Sequence, residues 1–367
     1  MESFKELSLP AELYRAIEKM GYTKPTPIQA QAIPVILAGR DVMGCAQTGT
    51  GKTAAFGIPT IINLIQNPKK TALILAPTRE LALQIDDVFG ELTSQHPEIR
   101  TAILIGGASM NPQISQLRRN PRIIIATPGR LLDHLRRKTA NIANTGILIL
   151  DEADRMLDMG FAPQLNDILR YVPKQRQTLL FSATFEAAIV KLAQKYLANP
   201  ERITIGQTST PVKKIAQSVV ETTVKGKNDT LVDELDARAG SVLIFARTKR
   251  RTDKLARYLS GCGYKVDRIH GDRSQRQRVD AIDGFRDGKF DILVATDIAA
   301  RGIDIPHIAH VINYDLPMTP EDYVHRIGRT ARAGADGQAL SLITPEDRGQ
   351  WRLISKLIDK ASPARGN

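Results

Sequence analysis

Short apolar runs rich in β-branched residues alternate along the chain with longer stretches whose apolar positions recur every three or four residues. Runs at 41–45, 72–76, 101–105, 122–126, 147–150, 178–181 and 202–205 predict strands, and the amphipathic stretches 52–65, 79–92 and 187–197 predict helices between several of them. The second half repeats the scheme. Strands are expected at 216–224, 241–246, 265–269, 292–296, 310–313 and 338–343, and helices at 227–238, 249–262, 275–286 and 345–359. Near-continuous apolar strands separated by helices imply an α/β fold in which a mostly parallel sheet is covered on both faces. Residues 206–213 are polar and carry breakers, which predicts a short linker between an N-terminal domain, 1–205, and a C-terminal domain, 214–367.

Two segments of the first half carry recognisable chemistry. Residues 46–53 read Ala-Gln-Thr-Gly-Thr-Gly-Lys-Thr and sit between a predicted strand and a predicted helix. That context makes a phosphate-binding loop: Thr48, Gly49, Thr50 and Gly51 offer backbone N–H groups, the helix N-terminus adds partial positive charge, and Lys52 adds a full one. The Thr53 hydroxyl suits Mg²⁺. Ala46 departs from the general pattern, which has glycine there. Asp151-Glu152-Ala153-Asp154 follows the apolar run 147–150, so its carboxylates are expected at a strand's C-terminal edge, where open α/β sheets bind ligands. Asp151 is assigned to Mg²⁺ and Glu152 to the attacking water. Acids favoured at a helix N-terminus by the macrodipole are the alternative.

Composition narrows the partners. The net charge is +12, and residues 1–205 carry 24 Lys+Arg against 18 Asp+Glu while the remainder carries 27 against 21. Both halves are therefore basic, as expected of a protein that meets a polyanion along its length. No apolar stretch is long enough for a membrane span, and the polar start Met1-Glu2-Ser3 does not read as a secretory signal. Cys45 and Cys262 lack metal-ligand or disulfide spacing, and the chain is expected in the cytoplasm.

With these residues placed, the chain resembles the DEAD-box ATP-dependent RNA helicases of superfamily 2, most nearly the bacterial RhlE-type branch. The likeness runs from Phe4 to about Thr344 with the motifs in the family's order. It implies two tandem RecA-like domains, ATP and Mg²⁺ as cofactors, and RNA as partner. Residues 21–29 match the adenine-recognition segment, in which Gln29 would meet the base edge, Tyr22 would pack on the base and Phe4 would support the segment. Without the family, this is a proline-rich turn entering a helix. Residues 77–82 with Arg79, 106–107 with Gly107, and 127–130 with Thr127 and Arg130 match RNA-contacting segments. In the second half Arg247, Thr248, Gly271, Gln275, Arg278 and Thr296 match further ones, and Asp304 would meet the nucleotide ribose. Ser182-Ala183-Thr184, with Asp154, matches the segment that couples hydrolysis to strand separation; a plain helix cap is the other reading of Ser182. Arg329 and Arg332 carry over as the arginines for the γ-phosphate, with His325 and Arg326 bridging the domains. The family usually has glycine where this chain has Ala331.

The resemblance implies RNA-stimulated ATP hydrolysis coupled to domain closure, with local unwinding of short duplexes and remodelling of RNA–protein complexes. Aromatic residues are only 5% of the chain and sit mainly in apolar runs, so backbone contacts are expected to outweigh base stacking. Two rivals stand beside this reading: an RNA clamp or scaffold without turnover, and a superfamily 2 DNA translocase. Lys52, Glu152, Arg329 and Arg332 are all present, which argues against the first. Gln29 and the unbroken 151–154 sequence argue against the second.

Overall fold

The computed structural model describes the chain except residues 1, 8, 47–48, 186, 206–214, 301–307, 332–336 and 362–367, with backbone only at 275, 298, 321, 360 and 361. The chain divides into two compact units, Met1–Thr208 and Ser209–Asn367. The linker expected at 206–213 lies outside the described residues.

In the first unit the strands are β1 (Val42–Cys45), β2 (Thr71–Leu75), β3 (Thr101–Leu104), β4 (Ile123–Ala126), β5 (Thr145–Leu150), β6 (Gln177–Ser182) and β7 (Glu201–Thr204). They form one sheet in the order β3-β4-β2-β5-β6-β1-β7 with every pairing parallel. All seven C-terminal ends therefore lie along one edge. The helices are α1 (Ala11–Lys19), α2 (Pro27–Leu37), α3 (Lys52–Gln66), α4 (Arg79–Leu92), α5 (Met110–Leu117), α6 (Pro128–Arg136), α7 (Ala153–Asp158), α8 (Ala162–Ile168) and α9 (Ala187–Tyr196). Successive strand residues point to opposite faces, so each strand feeds two cores. Ile74, Ile125, Ile149 and Phe181 pack with α1–α4 on one side, whereas Leu73, Leu75, Leu148 and Leu180 pack with residues of α6–α9 on the other. Phe181 lies 5.4 Å, ring to ring, from Phe56 of α3. A Cβ at Gly44 would come within 2.7 Å of the Phe181 ring, so a side chain there would displace it. Phe181→Ala at such a site costs about 3–5 kcal/mol.

The second unit has β8 (Ile215–Glu221), β9 (Val242–Phe245), β10 (Val266–Ile269), β11 (Ile292–Ala295), β12 (His310–Asn313) and β13 (Gly337–Ile343). The order is β10-β11-β9-β12-β13-β8, again all parallel. Its helices are α10 (Lys227–Asp236), α11 (Lys249–Gly261), α12 (Gln275–Arg286), α13 (Asp297–Ala300), α14 (Pro320–Ile327) and α15 (Arg348–Ala361). Caps fix several entries. Thr78, Thr248, Ser274 and Thr319 each accept a backbone N–H at the start of α4, α11, α12 and α14, a device worth about 1 kcal/mol apiece.

Candidate nucleotide and nucleic-acid site

Strands β5, β6 and β1 are neighbours, so the acidic segment, Ser182 and the glycine loop emerge side by side at the sheet edge. Gly49 and Gly51 have φ of +80° and +87°, a backbone region that glycine enters without penalty. Thr50 stands between them in the bend that leads into α3, and it is half-buried rather than fully open to solvent. The phosphate role expected of Thr50 falls on its backbone N–H, which this bend carries between the two left-handed glycines. Gly51 is also held by crowding, since a Cβ there would stand 2.4 Å from Gln29 Nε2. Thr48 lies outside the described residues. Lys52, the first residue of α3, is buried, and its Nζ donates to the Ala46 carbonyl at 2.7 Å. That contact spans the loop and holds the ammonium where phosphates would lie. Thr53 follows on the same helix turn.

Asp151 is buried, and its Oδ1 accepts the Glu152 N–H at 2.9 Å. Burial pushes its pKa up to about 7, against the opposing pull of Lys52. A carboxylate so placed calls for a further cation. Among the described residues no cluster of three or more His, Cys, Asp or Glu could hold a metal by itself. One carboxylate, beside the Lys52 that begins the helix carrying the Thr53 hydroxyl, suits Mg²⁺, which usually binds through one or two carboxylates together with substrate phosphates.

Glu152 caps α7 with φ 48° and ψ 53°, a left-handed conformation strained for a side-chain-bearing residue. Its side chain makes no cap hydrogen bond, although Glu152 and Asp154 both stand at the positive end of α7, where the macrodipole favours acids. Instead Glu152 Oε2 receives Arg155 Nη1 at 2.7 Å, with both side chains 7% exposed. Arg155 escaped the sequence reading; the three-residue spacing from Glu152 on a helix was the available signal. Asp154 Oδ2 accepts the Ala183 N–H at 2.9 Å, joining the acidic segment to the 182–184 segment. The join runs through backbone rather than the Ser182 hydroxyl, which faces the Thr184 N–H at 3.4 Å. The helix-cap reading of Ser182 falls, because Ser182 ends β6 and α9 begins only at Ala187.

The segment 21–29 meets this loop through Gln29. Gln29 is buried, its Oε1 accepting the Thr26 N–H at 2.9 Å and its Nε2 donating to the Gly51 carbonyl at 3.1 Å. An amide has two N–H groups and two lone pairs, so one of each is still in hand for a base edge. Phe4 is a core residue, 2% exposed, and Tyr22 is half-buried against the same cluster.

The other half of the edge, at β3, β4 and β2, gathers the first unit's RNA-matching residues. Arg79 begins α4 and lays its guanidinium on Gly107, where a Cβ would come within 1.9 Å of Nη1. Gly107 has φ +74°, so both crowding and backbone require glycine. Arg130 Nη1 donates to the Ala108 carbonyl at 3.0 Å. Thr127 is buried and its hydroxyl faces Leu104 O, which makes it a support for the rim rather than an open contact.

In the second unit Thr248 caps α11, and Arg247 donates its N–H to Asp315 Oδ2 at 2.9 Å while its side chain is 45% exposed. Gly271 is exposed beside Lys249. Thr296 is mostly covered and Arg278 is buried, so neither is presented openly as expected. The side chain of Gln275 and all of Asp304 and Arg332 lie outside the described residues. Arg329 is buried, and its Nε donates to the His325 carbonyl at 3.3 Å. Arg326 is bound within its own unit. Its guanidinium grips Asp297 with two bonds of 2.5 and 2.7 Å, reaches Asn313 Oδ1 and the Asp315 carbonyl, and lies 4.8 Å over the Phe245 ring. It organises its own unit, tying α14 to α13 and β12. Asp315, which meets both Arg247 and Arg326, was not singled out from the sequence; its partners are 68 and 11 residues away.

The DEAD/DEAH box helicase family matches residues 26–192, and the helicase conserved C-terminal domain family matches residues 226–334. The DEAD-box ATP-dependent RNA helicase CshA of Bacillus subtilis is 44% identical over 96% of this chain and 72% of its own length. The ATP-dependent RNA helicase CshA of Listeria monocytogenes is 44% identical over 98% of this chain and 69% of its own. A structure of S. cerevisiae Dbp5 bound to RNA and ADP BeF3 superposes with a TM-score of 0.87, is 34% identical, and covers 98% of this chain and 93% of its own. The chain belongs to the DEAD-box ATP-dependent RNA helicases, and its two parallel-sheet units are RecA-like domains. No described helix is long and apolar enough to cross a membrane.

Proposed function

We propose that this chain hydrolyses ATP when RNA is bound and uses the cycle to open short duplexes and remodel RNA–protein complexes. The observation that carries this reading is the single sheet edge on which the glycine loop, Asp151 and Glu152 stand beside the Arg79–Gly107–Arg130 rim. Lys52 and the N–H groups of Thr48 to Gly51 bind the phosphates, and Gln29 and Tyr22 take the adenine. Thr53 and Asp151 would hold Mg²⁺, which would neutralise phosphate charge. Glu152, fixed by its backbone and Arg155, orients and deprotonates the attacking water. Arg329 and Arg332, with the ribose partner Asp304, belong to the second domain, so closure of 1–205 on 214–367 across the 206–213 linker completes the site. Rim contacts to phosphate and ribose give sequence tolerance, and contacts to 2′-hydroxyls give preference for RNA.

A cytoplasmic location rests on the sequence reading. The RhlE-type branch rests on sequence resemblance alone, and the CshA relatives pull towards another branch. A tree built from all members of the family would decide it.

The test is an ATPase assay with RNA, with single-stranded DNA and with neither. RNA is expected to raise turnover well above the other two. Equal stimulation by DNA would favour the translocase, and no turnover in any arm the clamp. Glu152→Gln is expected to keep ATP binding while lowering turnover at least about 10²-fold, the scale of one acid–base group. Turnover near wild type would remove Glu152 from its role.

A further inference from the structure

Helix α11 begins at Thr248, one of the RNA-matching residues, and its sequence is Lys-Arg-Arg-Thr-Asp-Lys-Leu-Ala-Arg-Tyr-Leu-Ser-Gly. Its first turn holds three cations and no acid, although the positive end of a helix disfavours positive charge. Two of the three are neutralised: Lys249 pairs with Asp272 at 2.5 Å and Arg251 with Asp315 at 3.2 Å. Arg250 has no carboxylate partner among the described residues, and neither do Lys254 and Arg257. All three are exposed. Spaced four and then three residues apart, they fall on one face and stand next to each other, where like charges repel. The acid nearest in sequence, Asp253, bonds Arg268 and His270 instead, at 2.5 and 3.1 Å. Arg257 reaches only the Asp253 main-chain oxygen. Asp229 on α10 is engaged by Tyr258. The result is a line of unneutralised cations about 10 Å long, running outward from the second unit's RNA-matching residues.

We infer that the Arg250–Lys254–Arg257 face of α11 is an additional RNA-binding track, which holds the phosphodiester backbone where the strand leaves those residues. The inference rests on the reading of this protein as an RNA-dependent ATPase. A ribose-phosphate chain supplies the regularly spaced anions that the three cations lack. The one aromatic beside the stripe, Tyr258, is half-buried and tied to Asp229, so the track would read charge and not bases. Its role is to lengthen the bound segment and keep the protein tethered to flanking RNA, without touching the nucleotide.

The test uses the whole chain and labelled RNA single strands: a short one that spans the RNA-matching residues only, and longer ones extended at the 5′ or the 3′ end. Wild type is expected to bind one extended strand about tenfold or more tightly than the short one. Its plot of log affinity against log salt should be steeper by about 2, the release expected for three phosphate contacts on a single strand. Replacing Arg250→Gln, Lys254→Gln and Arg257→Gln together should abolish both gains. Affinity for the short strand and turnover at saturating short strand should stay unchanged. Arg250→Lys with Arg257→Lys should retain the slope, since charge alone is required. A triple variant that keeps the wild-type slope on the extended strand overturns the track. If the short strand stimulates wild type but extension adds nothing at either end, the track alone falls. If the short strand neither binds nor stimulates, the RNA-dependent reading falls and takes the track with it.

Discussion

At Ala331 the backbone sits at φ +56° with a methyl group attached. A non-glycine residue in the left-handed region carries about 1–2 kcal/mol of steric cost, and the family's usual glycine carries none. Glycine in turn loses more conformational entropy on folding, which returns part of the difference. Ala331→Gly is therefore expected to stabilise the second unit by about 0.5–1 kcal/mol, read as a higher urea midpoint with unchanged slope. A lower midpoint would show that the strain is not there. Arg329 is two residues upstream and stays bonded to the His325 carbonyl, so turnover should be preserved. Glu152 is the contrasting case. It has nearly the same strained geometry, at φ 48°, yet its side chain is clamped by Arg155. Strain of this kind persists where surrounding contacts over-determine it, which is the condition that the water-orienting role proposed for Glu152 requires.

Among elements, α6 shows how a buried polar network props the Arg79–Gly107–Arg130 rim. His134 is fully buried; its Nε2 faces Gln113 Oε1 at 3.3 Å and its Nδ1 faces the Thr139 hydroxyl at 2.8 Å. Gln113 Nε2 in turn donates to the Ile105 carbonyl, next to the Gly106–Gly107 turn. An amide oxygen only accepts, so Nε2 carries the proton. Burial, followed by the nearby Arg130, lowers the His134 pKa below its ordinary 6.5. A lowered folded pKa means that the unfolded chain binds the proton more readily, so this group's contribution is present above pH 6.5 and lost as pH falls through the folded value. Wild type should accordingly lose more of its urea midpoint between pH 7.5 and 5.5 than His134→Gln does. Parallel losses would exclude the histidine as a cause.

The same helix marks how far the chain could be read from its residues. Thirteen strands fall at the expected places, shifted at their ends by a few residues, because buried parallel strands write themselves as unbroken apolar runs. Helices α1, α5, α6, α7, α8, α13 and α14 were not expected; with four to nine residues each, they show too few turns for a periodic signal. Loop glycines and acids were legible because phosphate chemistry constrains local sequence. The Arg326–Asp297 pair and the Asp315 hub were not, since their partners meet only after folding.

For the whole molecule, the division of labour between units gives the sharpest prediction. Lys52, Asp151 and Glu152 stand on the first unit, and Arg329 and Arg332 on the second. Residues 1–205 alone are expected to turn over ATP at least about 10³-fold more slowly than the intact chain at saturating RNA, the lower end of what arginine fingers supply. Equal rates would place the whole machinery on one unit. Within the first unit the strand order has a further consequence. The Asp151 N–H donates to the Leu75 carbonyl at 3.0 Å, and four residues beyond Leu75 the chain reaches Arg79. Asp151 and Arg79 thus follow two neighbouring parallel strands, β5 and β2, whose backbones run about 4.8 Å apart. A rigid plank shared by two riders cannot tip under one without moving the other. Any variant that loosens the β2–β5 seam should therefore blunt RNA's hold on turnover before it weakens the grip on either ligand alone.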